Sequence, residues 1–364
     1  MNTYPLAKPE ITKEDRKAVN KVLKSAYLSR GPKVQEFESY FKEVIQSNYA
    51  SAVSSGTAGL IIALQALEVK PNDEVITVSY TVPATVNSIL AIGAKPVMVD
   101  IETQTFGMCP QALKQAITKK TKAIIVVHAF GKAANIIEII AIAKEHGIPV
   151  IEDACEAIGN KLNDKPLGSF ADIGVFAFYP NKQITSGEGG MLVTNNKKWH
   201  QKFEILKNHG RTMNGDLYDQ ISLGWNFRLS DINAALGLSQ LKRLEQIIEK
   251  RKTLANYYQH YLRNTAGITL PQFSPQEKNS AWFVYVVLIK NPDLIKDKMA
   301  QSGIQCGRYF SPVHLQPFYK NLFPNLKLSQ TERYAKQTLA LPFYSQLTRK
   351  DIAFICNSLL NCMN

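Results

Sequence analysis

A lysine just beyond an apolar β-rich run is the first feature of this sequence with chemical potential. The run is Ile173–Phe178, and Phe176–Gly190 reads FAFYPNKQITSGEGG, which sets Lys182 before a glycine-rich turn. An amine at the rim of a buried strand is partly desolvated, and desolvation favours its neutral, nucleophilic form. Amines of this kind condense with aldehydes. The second feature is Val150-Ile151-Glu152-Asp153, a strand that ends on a carboxylate. The third is SSGTAGL at 54–60, where a helix opens and its free N–H groups and dipole can hold a phosphate. The fourth is GWNFRLSD at 224–231, a polar loop entering a helix with Ser230 at the N-cap position. Taken singly, each also fits ordinary structure: a solvated loop lysine, a strand-end aspartate capping a helix, a Ser/Thr cap, a helix entry.

An aldehyde-binding amine, an acid and a phosphate cradle are together what pyridoxal 5′-phosphate (PLP) requires. Its ring nitrogen needs a carboxylate partner to act as an electron sink. The GEGG turn lacks the G-x-G-x-x-G spacing of a dinucleotide site and follows no suitable βα unit, so a Rossmann cofactor is rejected.

The elements that must position these groups alternate. Helical spacing covers 56–67, 86–92, 110–117 and 135–146. β-rich runs cover 74–78, 96–99, 123–127, 148–151, 173–178 and 191–194. Residues 14–46 read as amphipathic helix broken at Ser29–Pro32, 231–263 as one long basic helix, and 280–290 as a strand. Near-continuous apolar strands between helices predict an α/β fold with a mainly parallel sheet covered on both faces. Such sheets bind ligands at their carboxyl ends, which gives weight to Ser79, Tyr80, Asp100, His128, Asp153 and Tyr179. A change of texture divides the chain into a large domain, 1–244, and a smaller α+β domain, 245–364.

The composition excludes several classes. Of the 364 residues, 45% are hydrophobic and 20% charged, which is globular rather than disordered. No apolar stretch reaches the ~20 residues of a membrane span, and no secretory signal opens the chain. The five cysteines lack disulfide or zinc spacing, so a reducing cytoplasm is expected. The net charge of +13 is dispersed and accompanies no nucleic-acid-binding pattern, yet it suits an anionic substrate.

The four elements together resemble the DegT/StrS-type nucleotide-sugar aminotransferases, PLP enzymes of fold type I. The resemblance runs over nearly the whole chain: GPKVQEFE (31–38), SSGTAGL (54–60), VHAFGKAANI (127–136), VIEDACEAIG (150–159), FYPNKQITSGEGGMLVTNN (178–196), NHGR (208–211), GWNFR (224–228), YFSPVHLQPFY (309–319) and LALPFY (339–344). It implies a large domain with a seven-stranded sheet. Lys182 would be the Schiff-base lysine and proton shuttle, and Asp153 the partner of the pyridine nitrogen. Glu156 would lie near the phenolic oxygen. Thr57 and the Ala58 N–H would hold the phosphate. Asn226 would reach the phosphate in a neighbouring subunit, which implies a homodimer with shared sites. Glu188, Tyr309 and His314 would face the sugar.

Two departures stand out. Ala177 occupies a position where the family often has a phosphate-binding Ser. Val82, in Thr81-Val82-Pro83-Ala84-Thr85, takes the place of an aromatic residue that stacks on the cofactor ring. Tyr80, two residues earlier, would point the same way in an extended run and compensate. Lysine rather than histidine at 182 argues against the dehydratase branch. The implied reaction passes an amino group from L-glutamate to a nucleotide-diphosphate keto-sugar. The stretch Ile184–Gly190 resembles members acting at C4, which suggests a 4-keto-6-deoxyhexose. An aminotransferase for C3 or a cyclitol, a PLP-binding regulator and a non-enzymatic basic binding protein are the alternatives.

Overall fold

Runs such as Val75–Val78 and Ile124–Val127 have no polar face, so they are stable only as strands covered on both sides. The structure, a computed structural model, describes residues 3–212, 219–277 and 280–363. Its strands in chain order are β1 (Tyr49–Val53), β2 (Glu74–Val78), β3 (Lys95–Val99), β4 (Thr121–Val127), β5 (Val150–Asp153), β6 (Lys161–Leu162), β7 (Lys165–Pro166), β8 (Ile173–Ala177), β9 (Gly190–Thr194), β10 (Ile268–Thr269), β11 (Tyr285–Ile289) and β12 (Thr338–Leu341). Seven form one sheet in the order β1-β9-β8-β5-β4-β2-β3. Strands β8, β5, β4, β2 and β3 pair in parallel, and β9 runs against both its neighbours. The mainly parallel seven-stranded sheet expected from the sequence is therefore present. Strands β6 and β7 form a small hairpin, and β10-β11-β12 a separate antiparallel sheet.

The period of two along a strand divides the side chains between the sheet faces. Ile76, Val78, Ile124 and Val126 enter one core with Phe37, Phe41, Phe176 and Phe178. Val75, Ile125, Ile151 and Val175 enter the other, against the helix Gly56–Ala66. A further core, with Tyr258, Trp282, Tyr285, Phe343 and Ile355, lies under the three-stranded sheet. Tyr4, near the start of the chain, packs in this last core, and the helix Leu244–Leu262 spans two cores, with Leu244 in the first and Leu262 in the last. Among the described residues, no helix is long and apolar enough to cross a membrane.

Most expected elements occur within a few residues of their expected bounds; strands β6, β7, β10 and β12 and the helix Lys197–Leu206 were not expected, and two further differences have a physical reason. Strand β1 was not expected, because Tyr49-Ala50-Ser51-Ala52-Val53 has little β-branched character; pairing with β9 makes it a strand. The single helix expected over 231–263 is two, Asp231–Leu241 and Leu244–Leu262. No Gly or Pro marks the break. There the Arg243 guanidinium reaches the Asp15 carboxylate at 3.0 Å and the Glu10 carbonyl at 3.4 Å.

The motifs GPKVQEFE and LSD meet in one helix cap. The helix Pro32–Ile45 begins at Gly31, which has no side chain to cap it. Asp231, 1% exposed, supplies the cap from elsewhere and accepts the N–H groups of Gly31 (3.0 Å), Lys33 (3.2 Å) and Val34 (3.1 Å). A Cβ at residue 31 would collide with that carboxylate, which is why glycine stands there. Removing a buried cap of three charge-assisted bonds costs roughly 2–4 kcal/mol. Asp231→Ala should therefore lower the melting temperature by several degrees, and Gly31→Ala should act in the same direction. Unchanged melting in both would contradict this account of the cap.

Candidate active site

Strands β8 and β9 are antiparallel neighbours paired from Ala177 to Gly190, so residues 178–189 form the loop between them. That loop is closed on itself. Phe178 N–H donates to the Gly189 carbonyl at 2.9 Å, Ser186 N–H and Thr185 Oγ1 donate to the Phe178 carbonyl, and Lys182 N–H donates to the Tyr179 carbonyl at 2.9 Å. Gly187 takes φ +82°, a left-handed conformation that favours glycine. At Gly190 a Cβ would come within 2.6 Å of the Ser55 carbonyl, so the loop's end lies against the start of the helix Gly56–Ala66. The glycine-rich turn thus has a structural reason: it closes the lysine loop and presses it onto the helix N-terminus.

The Lys182 side chain is 10% exposed. Its Nζ stands 3.6 Å from Glu156 Oε1 and 4.4 Å from the centre of the Phe283 ring. Glu156 Oε2 accepts the Phe130 N–H at 2.9 Å. Gln183 Nε2 donates to the Glu156 carbonyl (2.6 Å) and the Ala281 carbonyl (2.9 Å), tying the loop both to Glu156 and to the chain entering β11. Burial pushes the Glu156 carboxyl above the usual carboxylate range, and the Lys182 ammonium pulls it partly back. Cys155 is half-buried; desolvation of its thiol first, and then the Asp153 carboxylate, hold that thiol well above its ordinary range, so it stays protonated and inert.

Asp153 ends β5 and is 5% exposed. One oxygen, Oδ2, accepts the Thr85 hydroxyl at 2.9 Å, and Oδ1 accepts the Cys155 N–H at 3.3 Å. The helix Gly56–Ala66 is capped by Ser55, whose Oγ accepts the Ala58 N–H at 3.1 Å. The Ala58 N–H is thus already engaged. The first-turn N–H groups of Gly56 and Thr57, with the half-buried Thr57 hydroxyl, are the donors at this helix start with capacity for an anion. A Cβ at Gly56 would meet Cys155 Sγ and Ala177 Cβ at 2.9 Å, which places this helix start directly beside the Asp153 turn and the end of β8.

The other expected site residues are placed as follows. The Tyr80 ring is fully buried among Phe106, Phe130 and Phe310, and its hydroxyl donates to the Tyr309 carbonyl at 3.0 Å. The extended alternation fails because the chain bends at 79–81, so Val82 alone, 37% exposed, faces outward. His314 is 1% exposed, with Nδ1 on Ser79 Oγ at 2.7 Å and Nε2 on Glu332 at 3.3 Å, so both ring nitrogens are engaged by protein. Tyr309 is half-buried, and burial followed by the nearby Glu156 carboxylate raises its phenol. Glu188 and Asn226 are exposed.

Of the other strand-end polar groups, Asp100 caps the helix Ser329–Ala335 through Gln330 N–H (2.9 Å) and Thr331 N–H (2.8 Å). His128 takes the Ala134 N–H on Nδ1 at 3.1 Å and gives Nε2–H to Glu152 at 2.9 Å. Sequence reasoning missed Phe283 and Thr85. Phe283 comes from the segment leading into β11 and carries no local signal. Thr85 ends the TVPAT stretch, where its spacing from Thr81 was the available sign.

The arrangement fits PLP. A helix N-terminus meets a strand-end carboxylate and a largely buried amine, and the amide oxygens of Asn181 and Gln183, the residues flanking Lys182 in sequence, are buried without a hydrogen-bond partner among the described residues. Among the described residues, no group of three or more His, Cys, Asp or Glu is placed to hold a metal ion. Fold and site together define a fold type I PLP enzyme.

Residues 9–360 match the DegT/DnrJ/EryC1/StrS aminotransferase family. The chain is 35% identical over 366 residues to the spore coat polysaccharide biosynthesis protein SpsC of Bacillus subtilis (strain 168), covering 96% of this chain and 94% of that one. Helicobacter pylori PseC, an aminotransferase involved in the biosynthesis of pseudoaminic acid, superposes with a TM-score of 0.94 at 29% identity, over 100% of this chain and 99% of that one. NtdA of Bacillus subtilis, solved with the cofactor PMP bound, gives a TM-score of 0.88 at 32% identity, over 97% of this chain and 83% of that one. This chain belongs to the DegT/DnrJ/EryC1/StrS family and is a PLP-dependent aminotransferase.

The raised Glu156 carboxyl makes a prediction for the cofactor-free protein. The folded chain holds this proton more tightly than the unfolded chain, so the ionised carboxylate weakens the fold once pH rises through the ordinary carboxylate range. Glu156→Gln should melt above wild type near about pH 8, with the gap shrinking towards about pH 5. A gap that widens as pH falls would contradict the assignment.

Proposed function

We propose that this protein transfers an amino group from L-glutamate to a keto-carbon of a nucleotide-linked sugar, most specifically C4 of a 4-keto-6-deoxyhexose. The observation that carries the reading is Lys182, with its Nζ between Glu156 and Phe283 at the carboxyl rim of the sheet. When bound, PLP supplies the electron sink for breaking and forming bonds at the amino-bearing carbon. In this reading Lys182 moves the proton at that carbon, Asp153 holds the ring nitrogen, and the start of the helix Gly56–Ala66 holds the phosphate. Phe283 and the buried loop exclude water from the amine.

The stretch Ile184–Gly190 supports the C4 reading, and the roles of SpsC in spore coat polysaccharide biosynthesis and PseC in pseudoaminic acid biosynthesis support a sugar destined for a glycan or polysaccharide. The exposed segment with Asn226 supports a homodimer with shared sites, placed in the reducing cytoplasm, where the five cysteines stay free thiols.

Charge supports the diphosphate. A cavity of about 210 Å³ is lined by Arg30, Lys207, Arg211 and Arg228. Lys207 is neutralised by Glu204 (2.6 Å) and Glu38 (3.1 Å). The three arginines have no carboxylate partner among the described residues. Burial, then repulsion from Arg30 and Arg211, lowers the Arg228 guanidinium, and an anion in the cavity relieves that repulsion. Arg228 lies on the segment that bears Asn226.

Purified protein incubated with PLP and glutamate should aminate UDP-, GDP- or dTDP-4-keto-6-deoxy sugars at C4, read by mass spectrometry and NMR of the product. Amination only at C3, or of no sugar nucleotide, would overturn the substrate reading. Arg228→Gln should raise KM for the sugar nucleotide by about tenfold with a smaller effect on kcat. An unchanged KM would remove the arginine cavity from the substrate site.

A further inference from the structure

We propose that Thr85, backed by Thr81, is a positioning residue that assigns the two oxygens of Asp153 to different tasks and thereby tunes the hold on the cofactor's ring nitrogen. The inference rests on the reading that Asp153 meets that nitrogen. It starts from TVPAT, whose aromatic position is Val82 and whose two threonines have no part in the function so far described. Thr81, Thr85 and Asp153 are 2%, 0% and 5% exposed, so the two hydroxyls depend on protein partners.

Each hydroxyl carries one proton. Thr85 donates its proton to Asp153 Oδ2 at 2.9 Å. The 3.0 Å contact between Thr81 Oγ1 and Thr85 Oγ1 must therefore use the Thr81 proton. The chain has one direction: Thr81 O–H to Thr85 Oγ1, and Thr85 O–H to Asp153 Oδ2. It polarises the second donor towards the carboxylate. Oδ1 accepts the Cys155 N–H at 3.3 Å, a long bond, and the protonated Cys155 thiol lies beside the same carboxylate. Oδ1 is the oxygen left with acceptor capacity for a ring N–H, and Oδ2 is fixed by the relay.

The backbone keeps this geometry in place. Thr81 lies in the bend after β2 and Thr85 in the first turn of the helix Pro83–Ala91, four residues on, the spacing that brings side chains to one side of a turn. The Thr85 carbonyl is held in turn by Ser88 Oγ at 2.7 Å. Replacing Thr85 by its near-isostere valine removes one proton donor and leaves Oδ2 buried without it. The carboxylate is then free to rotate and to turn its other oxygen, or neither, towards the ring.

The test is the affinity of the apoenzyme for two probes, PLP and its 1-deaza analogue, which has carbon in place of the ring nitrogen. Wild type should prefer PLP. Thr85→Val should weaken PLP binding by about tenfold or more, the loss of a hydrogen bond to a charged group, while leaving the deaza analogue within about twofold. Thr85→Ser should restore most of the preference, and Thr81→Val should reduce it less than Thr85→Val. A loss shared equally by both probes, or an unchanged preference, overturns the proposal. Should Thr85→Val not fold, Thr81→Val against Thr85→Ser carries the same comparison. Asp153→Ala separates the two levels of the reading. If it abolishes the preference and Thr85→Val does not, only the relay fails; if it leaves the preference intact, Asp153 does not meet the nitrogen and the relay fails with it.

Discussion

The chemistry depends on an amine kept largely out of water at the edge of a sheet. Lys182 Nζ has a carboxylate 3.6 Å away on one side and an aromatic ring 4.4 Å away on another. Both neighbours come from other parts of the chain. Glu156 follows β5, and Phe283 leads into β11. A lysine in a solvated loop would be a mobile, hydrated cation. Here the amine has a fixed direction and a low-dielectric surrounding, and the rest of the architecture keeps it there.

Three kinds of device do so. Parallel strands bring the ends of β5 and β8 side by side, which sets Asp153 and the lysine loop at one rim. Close approach, at Gly190 against Ser55 and at Gly56 against Cys155, packs the helix start into the same corner. Polar side chains at the other strand ends serve as ties. Ser79 holds His314, Asp100 caps the helix Ser329–Ala335, and His128 pairs with Glu152. Gln183 and Asp231 work in the same way, each joining segments distant in sequence through buried hydrogen bonds. Buried polar groups must be satisfied, so these ties also specify a single arrangement.

The groups that act through local backbone could be read from the sequence. Lys182, Asp153 and the SSGTAG helix start are each fixed by a strand end or helix end within a few residues, and periodicity exposes those ends. Side chains whose partners are remote could not be read so. His314 was placed by the resemblance alone, and nothing near it in sequence hints at Ser79 or Glu332. Tyr80 looked like a ring-stacking residue because alternation was extended one step past the end of β2. Phe283 gave no signal, since its place under the amine depends on how the second sheet docks. The break at Arg243 was hidden because a side-chain contact, not a glycine or proline, accompanies it.

One measurement bears on the central claim more directly than any assay of turnover. Holoprotein treated with borohydride, digested and analysed by mass spectrometry should carry the reduced phosphopyridoxyl group on the peptide containing Lys182, and Lys182→Ala should carry none. Label on another lysine, or none at all in protein shown to retain the coenzyme, would contradict the role given to this amine.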